Sequence, residues 1–210
     1  MIGPESTGKS TLCAQLAEHF QSLWVPEFAR GYLEKKISPY TYDDLLVIAK
    51  GQVELEEKYI DVITEPKKSD DSSPLMQNQI TESPNLPTGQ AGFQITKLVS
   101  IVPPLNKEVL FIDTDMHVMQ VWCEFAFGKC HNWILRQLAQ RSYNLYLLCD
   151  VDLAWVKDEL REYPDLETRA KLYKFYKEQM VNQYTPWVNI HGDYEQRLQQ
   201  AILAVGNKLH

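Results

Sequence analysis

An α/β fold with a parallel sheet is what this sequence predicts, and three observations predict it. Residues 3–10 read G-P-E-S-T-G-K-S, which fits the phosphate-loop pattern G-x-x-x-x-G-K-[ST] at every fixed position. Short apolar runs recur at 22–28, 109–112, 143–150 and 186–193, and stretches with helical spacing separate them. The run Val109, Leu110, Phe111, Ile112 is continuous rather than alternating, the mark of a strand covered on both faces. Parallel strands need crossover connections, so strands alternating with helices imply a sheet flanked by helices.

The elements follow in order. Residues 9–20 carry Leu12, Leu16 and Phe20 at helical spacing, so a helix follows the loop. "SLWVPEF" (22–28) predicts a buried strand ending at Pro26 or Glu27. Thr41 and Asp44, three apart, form a capping-box pattern, and Leu45, Ile48, Ala49, Gln52 and Leu55 share a face beyond it, so a long helix starts there. Residues 66–106 are rich in Ser, Pro, Asn, Gln and Gly with little periodicity, which predicts a disordered insertion. Beyond the strand at 109–112, helices are expected at about 116–127 and 133–141, a strand at 143–150, and a short helix or lid in "WVKDELRE". A long helix at 166–184, a strand and turn at 186–193 and a C-terminal helix complete the chain. Four strands can be counted. A phosphate loop hangs from a buried strand, so a fifth is implied ahead of residue 3, where Met1 and Ile2 stand.

A chain of 210 residues with 44% hydrophobic content predicts one domain over 1–210, interrupted by the insertion. A net charge of −7 argues against a nucleic-acid partner, which would need a basic face. No apolar run approaches the ~20 residues that span a bilayer, and the first residues lack the regions of a signal peptide. The expectation is a cytoplasmic protein whose partners are small molecules, with its oligomeric state open. Cys13, Cys123, Cys130 and Cys149 show no C-x-x-C spacing. Cys123, Cys130 and His131 lack a second ligand pair for zinc, so free thiols are expected.

The loop carries the chemistry. Gly3 and Gly8 permit the backbone angles that aim several N–H groups at one anion, and the following helix adds its positive end. Gly3, Glu5, Ser6, Thr7, Gly8, Lys9, Ser10 and Thr11 are therefore the expected ATP-binding residues. Lys9 would reach the β- and γ-phosphates, and the Ser10 hydroxyl would bind Mg²⁺. Asp113, just after four apolar residues, stands where a second Mg²⁺-holding carboxylate is needed. Asp115 reads as the cap of the next helix, or as a group facing the acceptor. Glu27, at the end of the second strand, suits a carboxylate that orients or deprotonates an acceptor hydroxyl. Arg30, one helical turn on, suits acceptor binding or a simple pair with Glu27. Arg161, ahead of Arg169, is the better candidate for an arginine that closes over the transferring phosphoryl group.

In this order the motifs resemble the ribosylnicotinamide kinase domain of the NadR type. "GPESTGKSTL", "WVPEFARGYLE", "YTYDDLLVIAKGQ", "FIDTD", "VWCEFAFGKC", "YLLCDVDLAWVKDELR" and "HGDYEQRL" carry the resemblance, which covers nearly the whole chain outside the insertion. It implies a P-loop kinase fold with strand order 2-3-1-4-5. It implies phosphorylation of the ribose 5′-hydroxyl of nicotinamide riboside by ATP, giving nicotinamide mononucleotide. Lys9, Ser10 and Asp113 would take the ATP and Mg²⁺ roles, Glu27 and Arg30 the acceptor side, and Gln52 would line that side too. Three departures stand out: the first strand is largely missing, the insertion is extra, and Glu159 stands where a lid motif D-G-x-R would have glycine. No nucleotidylyltransferase segment is expected. A P-loop ATPase, a nucleoside kinase with another acceptor and a non-catalytic ATP-binding protein are the other readings.

Overall fold

The computed structural model describes residues 1–64 and 108–209, and the segment read as an insertion lies outside them. The elements are α1 (Lys9–His19), β1 (Leu23–Val25), α2 (Phe28–Leu33), α3 (Tyr42–Thr64), β2 (Leu110–Ile112), α4 (Met116–Phe127), α5 (Asn132–Gln140), β3 (Tyr146–Cys149), α6 (Leu166–Val181), β4 (Trp187–Ile190) and α7 (Tyr194–Leu209). The strands are shorter than the apolar runs that announce them.

β1 pairs in parallel with β2, Trp24 opposite Phe111, and β3 pairs in parallel with β4, Leu148 opposite Asn189. Met1 and Ile2 join the two halves. The Ile2 N–H donates to the Leu147 carbonyl (3.0 Å), and the Cys149 N–H donates to the Ile2 carbonyl (2.9 Å). On the other side the Thr114 N–H donates to the Met1 carbonyl (3.3 Å), and the Met1 ammonium donates to the Ile112 carbonyl (2.6 Å). Counting this stub as the first strand, the order is 2-3-1-4-5, as the resemblance implies. Met1 and Ile2 thus hold the central slot, and the phosphate loop hangs from them. Below Met1 a groove of about 870 Å³ runs between Leu110 and Leu145, along the facing edges of β2 and β3.

Helices cover both faces of the sheet. Leu12 and Leu16 of α1 meet Ala201 and Val205 of α7 over Phe111, Leu147 and Ile190 on one face. On the other, α4 and α6 pack Val118, Val121, Leu172 and Tyr176 against Ile2, Tyr146 and Leu148. α3 covers the far half with Tyr59 and Ile63 on Leu23 and Val25. Phe111 lies in the first cluster while its neighbours Leu110 and Ile112 pack with the last, the period of two expected of a strand covered twice. Each fully buried Leu, Ile or Val contributes about 1.5–3 kcal/mol. The capping box forms: Asp44 accepts from the Thr41 N–H and hydroxyl, both at 2.6 Å. These bonds, with one from Tyr32, hold the Asp44 carboxyl well below the ordinary carboxylate range. No helix among the described residues is long and apolar enough to cross a membrane.

Candidate active site

The phosphate loop starts from the stub. Gly3 has φ +134°, and a Cβ there would stand 2.7 Å from the Cys149 carbonyl oxygen, so only glycine lets the loop leave the sheet this close to β3. Gly8 has φ +76° and is the residue from which α1 begins. The Thr7 hydroxyl closes the loop on the Pro4 carbonyl (2.8 Å). The Lys9 ammonium curls over it, donating to the carbonyls of Gly3 (3.0 Å) and Pro4 (2.7 Å). A cation and a helix N-terminus therefore face the same cavity, whose wall also includes the exposed Ser10 and Thr11.

Arg197 braces the loop from behind. It is buried, and its guanidinium donates to the carbonyls of Thr7 (2.9 Å), Gly192 (2.7 Å) and Asp150 (3.0 Å) and pairs with the Asp152 carboxylate. It thereby ties the loop to the C-terminal ends of β3 and β4. "HGDYEQRL" contained this residue, but nothing local marked it as a hub.

Asp113 lies at the end of β2, its N–H donating to the Val25 carbonyl (2.9 Å). It is 1% exposed, and neither carboxylate oxygen has a hydrogen-bond partner among the described residues. Such a buried carboxylate needs a cation or a donor to offset its desolvation. Ser10 lines the cavity and Asp113 does not, but a carboxylate and a serine hydroxyl are oxygen donors of the kind Mg²⁺ prefers.

Glu27 follows β1 and Pro26 and is the residue from which α2 begins. It lines the same cavity as Lys9 and Arg161. One edge stays open to the cavity, yet burial is the main cause that raises its carboxyl pKa. The charge of Asp113 raises it further, while Lys9, Arg30 and Arg161 pull it down. A glutamate so placed holds its proton more readily than usual and is better matched to accept one at neutral pH.

The segment between β3 and α6 closes over the loop. It contains no helix, so the helix alternative for "WVKDELRE" is not the one observed. Glu5 holds it down: its carboxylate accepts from the backbone N–H groups of Glu162 (3.0 Å) and Tyr163 (2.6 Å) and from the Trp155 indole (3.5 Å). The Ser6 hydroxyl accepts from the Val156 N–H (3.0 Å) and from Arg161 (3.4 Å). Arg161 lines the cavity, whereas the buried Arg169 braces the Ser6 and Leu153 carbonyls at 3.3 and 3.2 Å. Two of the eight residues expected to bind ATP, Glu5 and Ser6, thus turn their side chains to this segment.

Of three residues offered for the acceptor side, Arg30 and Gln52 have other partners and Asp115 takes its other reading, the helix cap. Arg30 lines the cavity, but its guanidinium pairs with Asp158 of the lid (3.0 and 3.4 Å) instead of Glu27. Asp115 caps α4, accepting from the His117 and Val118 N–H groups (3.0 and 3.3 Å), and it stands on the groove below the sheet, away from the cavity. Gln52 is fully buried and turned to backbone, so it does not line the cavity. What does line it is an apolar wall of Leu33, Val118, Val121, Trp122, Phe125 and Tyr163. The Trp122 indole donates to the Tyr40 hydroxyl (3.0 Å), which donates to Glu162 of the lid (2.8 Å). In the sequence Trp122 and Phe125, three apart on a helix, look like any core stripe.

The four cysteines are free thiols. No group of three or more His, Cys, Asp or Glu among the described residues could hold a metal by itself, zinc included.

Comparison with known proteins agrees with this architecture. The chain is 23% identical to the trifunctional NAD biosynthesis/regulator protein NadR of Escherichia coli K12 over 207 residues, 96% of this chain and 40% of that protein. The NadR of Salmonella typhimurium LT2 matches at the same identity and coverage. The chain therefore spans about two-fifths of the length of these curated relatives. A crystal structure of NadR in complex with NR superposes with a TM-score of 0.68 at 20% identity, over 99% of this chain and 50% of that one. A second, of NadR with NAD and AMP-PNP, gives 0.61 at 18%, over 99% and 48%. These likenesses establish the P-loop fold. The model of the AAA domain family AAA_28 matches residues 1–197, and the chain belongs to that family of P-loop nucleotide-binding domains.

Proposed function

We propose that this chain is an ATP-dependent kinase that phosphorylates the ribose 5′-hydroxyl of nicotinamide riboside, giving nicotinamide mononucleotide. The observation that carries the reading is the position of Glu27. It lies in one cavity with Lys9 and Arg161, its pKa raised, next to an apolar wall that includes Trp122 and Phe125. Such an apolar, partly aromatic wall suits a flat heteroaromatic ring. The likeness to NadR, whose crystal structure holds NR, supports the choice of acceptor.

The geometry supports the following roles. The loop N–H groups and the start of α1 bind the β- and γ-phosphates, and the Lys9 ammonium exchanges the Gly3 and Pro4 carbonyls for phosphate oxygens. Ser10 and Asp113 would hold Mg²⁺, which neutralises phosphate charge when bound. Glu27 accepts the proton of the acceptor hydroxyl as its oxygen forms a bond to the γ-phosphorus. The bond from that phosphorus to the bridging oxygen breaks, and ADP leaves with the electron pair. Arg161, on the lid, stabilises the charge spread over the transferring group. Glu5 holds the lid against the loop, so closure excludes water that would otherwise compete as acceptor.

The test is an acceptor screen with ATP and Mg²⁺. Turnover with nicotinamide riboside well above that with adenosine, uridine or water supports the proposal. Preference for another nucleoside would redirect it to that acceptor, and turnover with water alone would make the protein an ATPase.

A further inference from the structure

Gln52 projects from α3 and is fully buried. Its Oε1 accepts from the Phe28 N–H at 2.7 Å, and its Nε2 donates to the Pro26 carbonyl at 3.3 Å. Those two backbone groups flank Glu27 on either side. Phe28 opens a six-residue helix, so its N–H is one of the donors no helical carbonyl can reach. The preceding residue on α3 is Gly51. A Cβ there would stand 2.3 Å from Cε1 and 2.4 Å from Cζ of the Phe28 ring. α3 thus offers a bare spot for the ring and a carboxamide for the peptide groups, side by side.

We propose that Gly51 and Gln52 are the positioning pair for Glu27, fixing the backbone on both sides of it so that its carboxylate meets the acceptor hydroxyl. Neither residue touches substrate. The inference rests on the kinase reading of Glu27. It gives "AKGQ" on α3 a task that its helical spacing alone would assign to the core.

A glutamine that only filled space would affect stability and leave the chemical step alone. The experiment compares Gln52→Leu, Gln52→Glu and Gly51→Ala in the full chain. It reads kcat and KM with ATP and nicotinamide riboside, ATP affinity by calorimetry, and hydrogen exchange of the Phe28 amide by NMR. Gln52→Leu should lower kcat by about 10–100-fold, the scale of a ~1 Å misplacement, while ATP affinity stays unchanged. Gln52→Glu keeps an acceptor for the Phe28 N–H and should recover part of the loss. Gly51→Ala should lower kcat several-fold with Gln52 intact. Wild-type kcat in Gln52→Leu, beside faster Phe28 exchange, overturns the proposal. Should Gln52→Leu fail to fold, wild-type kcat in both other variants overturns it. If the wild-type protein phosphorylates no nucleoside, the kinase reading fails on its own. The clamp is then judged by the Phe28 amide: slow exchange lost in Gln52→Leu sustains it, and equal rates overturn it.

Discussion

Replacing Glu27 with glutamine should move turnover and stability in opposite directions. The carboxylate stands in the cavity with Lys9 and Arg161, and burial together with the charge of Asp113 raises its pKa above the usual glutamate value. As a base it must be ionised, so turnover should rise with pH through that raised pKa, with an acidic limb above the ordinary ~4.3. For folding the sign is reversed. A carboxyl whose folded pKa exceeds its unfolded one favours folding only while protonated, and that contribution is lost as pH rises through the folded pKa. Once ionised, Glu27 therefore costs stability. Glu27→Gln keeps size and removes charge. It should lower kcat by roughly 10²–10⁴, the range for a general acid–base group, which is about 2.7–5.5 kcal/mol of barrier. ATP affinity should hardly change. Melting above the pH of the turnover limb should rise by about 2–4 °C for each ~1 kcal/mol relieved, and the difference should vanish below it, where wild-type Glu27 is protonated. Initial rates, calorimetric ATP binding and melting curves at two pH values read all three. Near-normal turnover would remove Glu27 from the mechanism, and a lower melting point above the turnover limb would refute the electrostatic argument.

Lys9→Ala should damage ATP affinity and turnover together, because the ammonium faces the phosphates; calorimetry and rates on one preparation separate this pattern from that of Glu27→Gln. Glu5→Ala removes the acceptor for two lid N–H groups and the Trp155 indole. It should loosen the lid, raise KM for ATP and speed protease cleavage within 151–165, and unchanged cleavage would show that the latch is not needed. Adding six apolar residues ahead of Met1 should fill the groove between β2 and β3 and pair their facing edges. The melting temperature should then rise by several degrees, and no rise would mean the sheet gains nothing from a longer central strand.

What was legible in the sequence is what chemistry confines to a few consecutive residues. The loop at 3–10, the Thr41–Asp44 box and Asp113 at a strand end each depend on local spacing, and each is where the sequence places it. α2 was not legible. The run 22–28 reads as a strand ending at Pro26 or Glu27, but Pro26 cannot donate to a ladder, and the helix beyond it is held partly by Gln52, 24 positions away from Phe28. Partner choice was not legible either. Arg30 and Asp158 are 128 positions apart, and nothing near Arg30 marks Asp158 as its partner beside the neighbouring Glu34 and in place of Glu27. The aromatic wall escaped for a related reason. Spacing places Trp122 and Phe125 on one face of α4, but only packing decides whether that face meets core or cavity.

The most direct measurement is phosphorus NMR of the protein with ATP, Mg²⁺ and nicotinamide riboside labelled with ¹³C at the ribose 5′ position. The account predicts one new phosphomonoester for each ADP formed, its phosphorus coupled to the labelled carbon. ATP that binds but yields no phosphomonoester with this or any other nucleoside would contradict it.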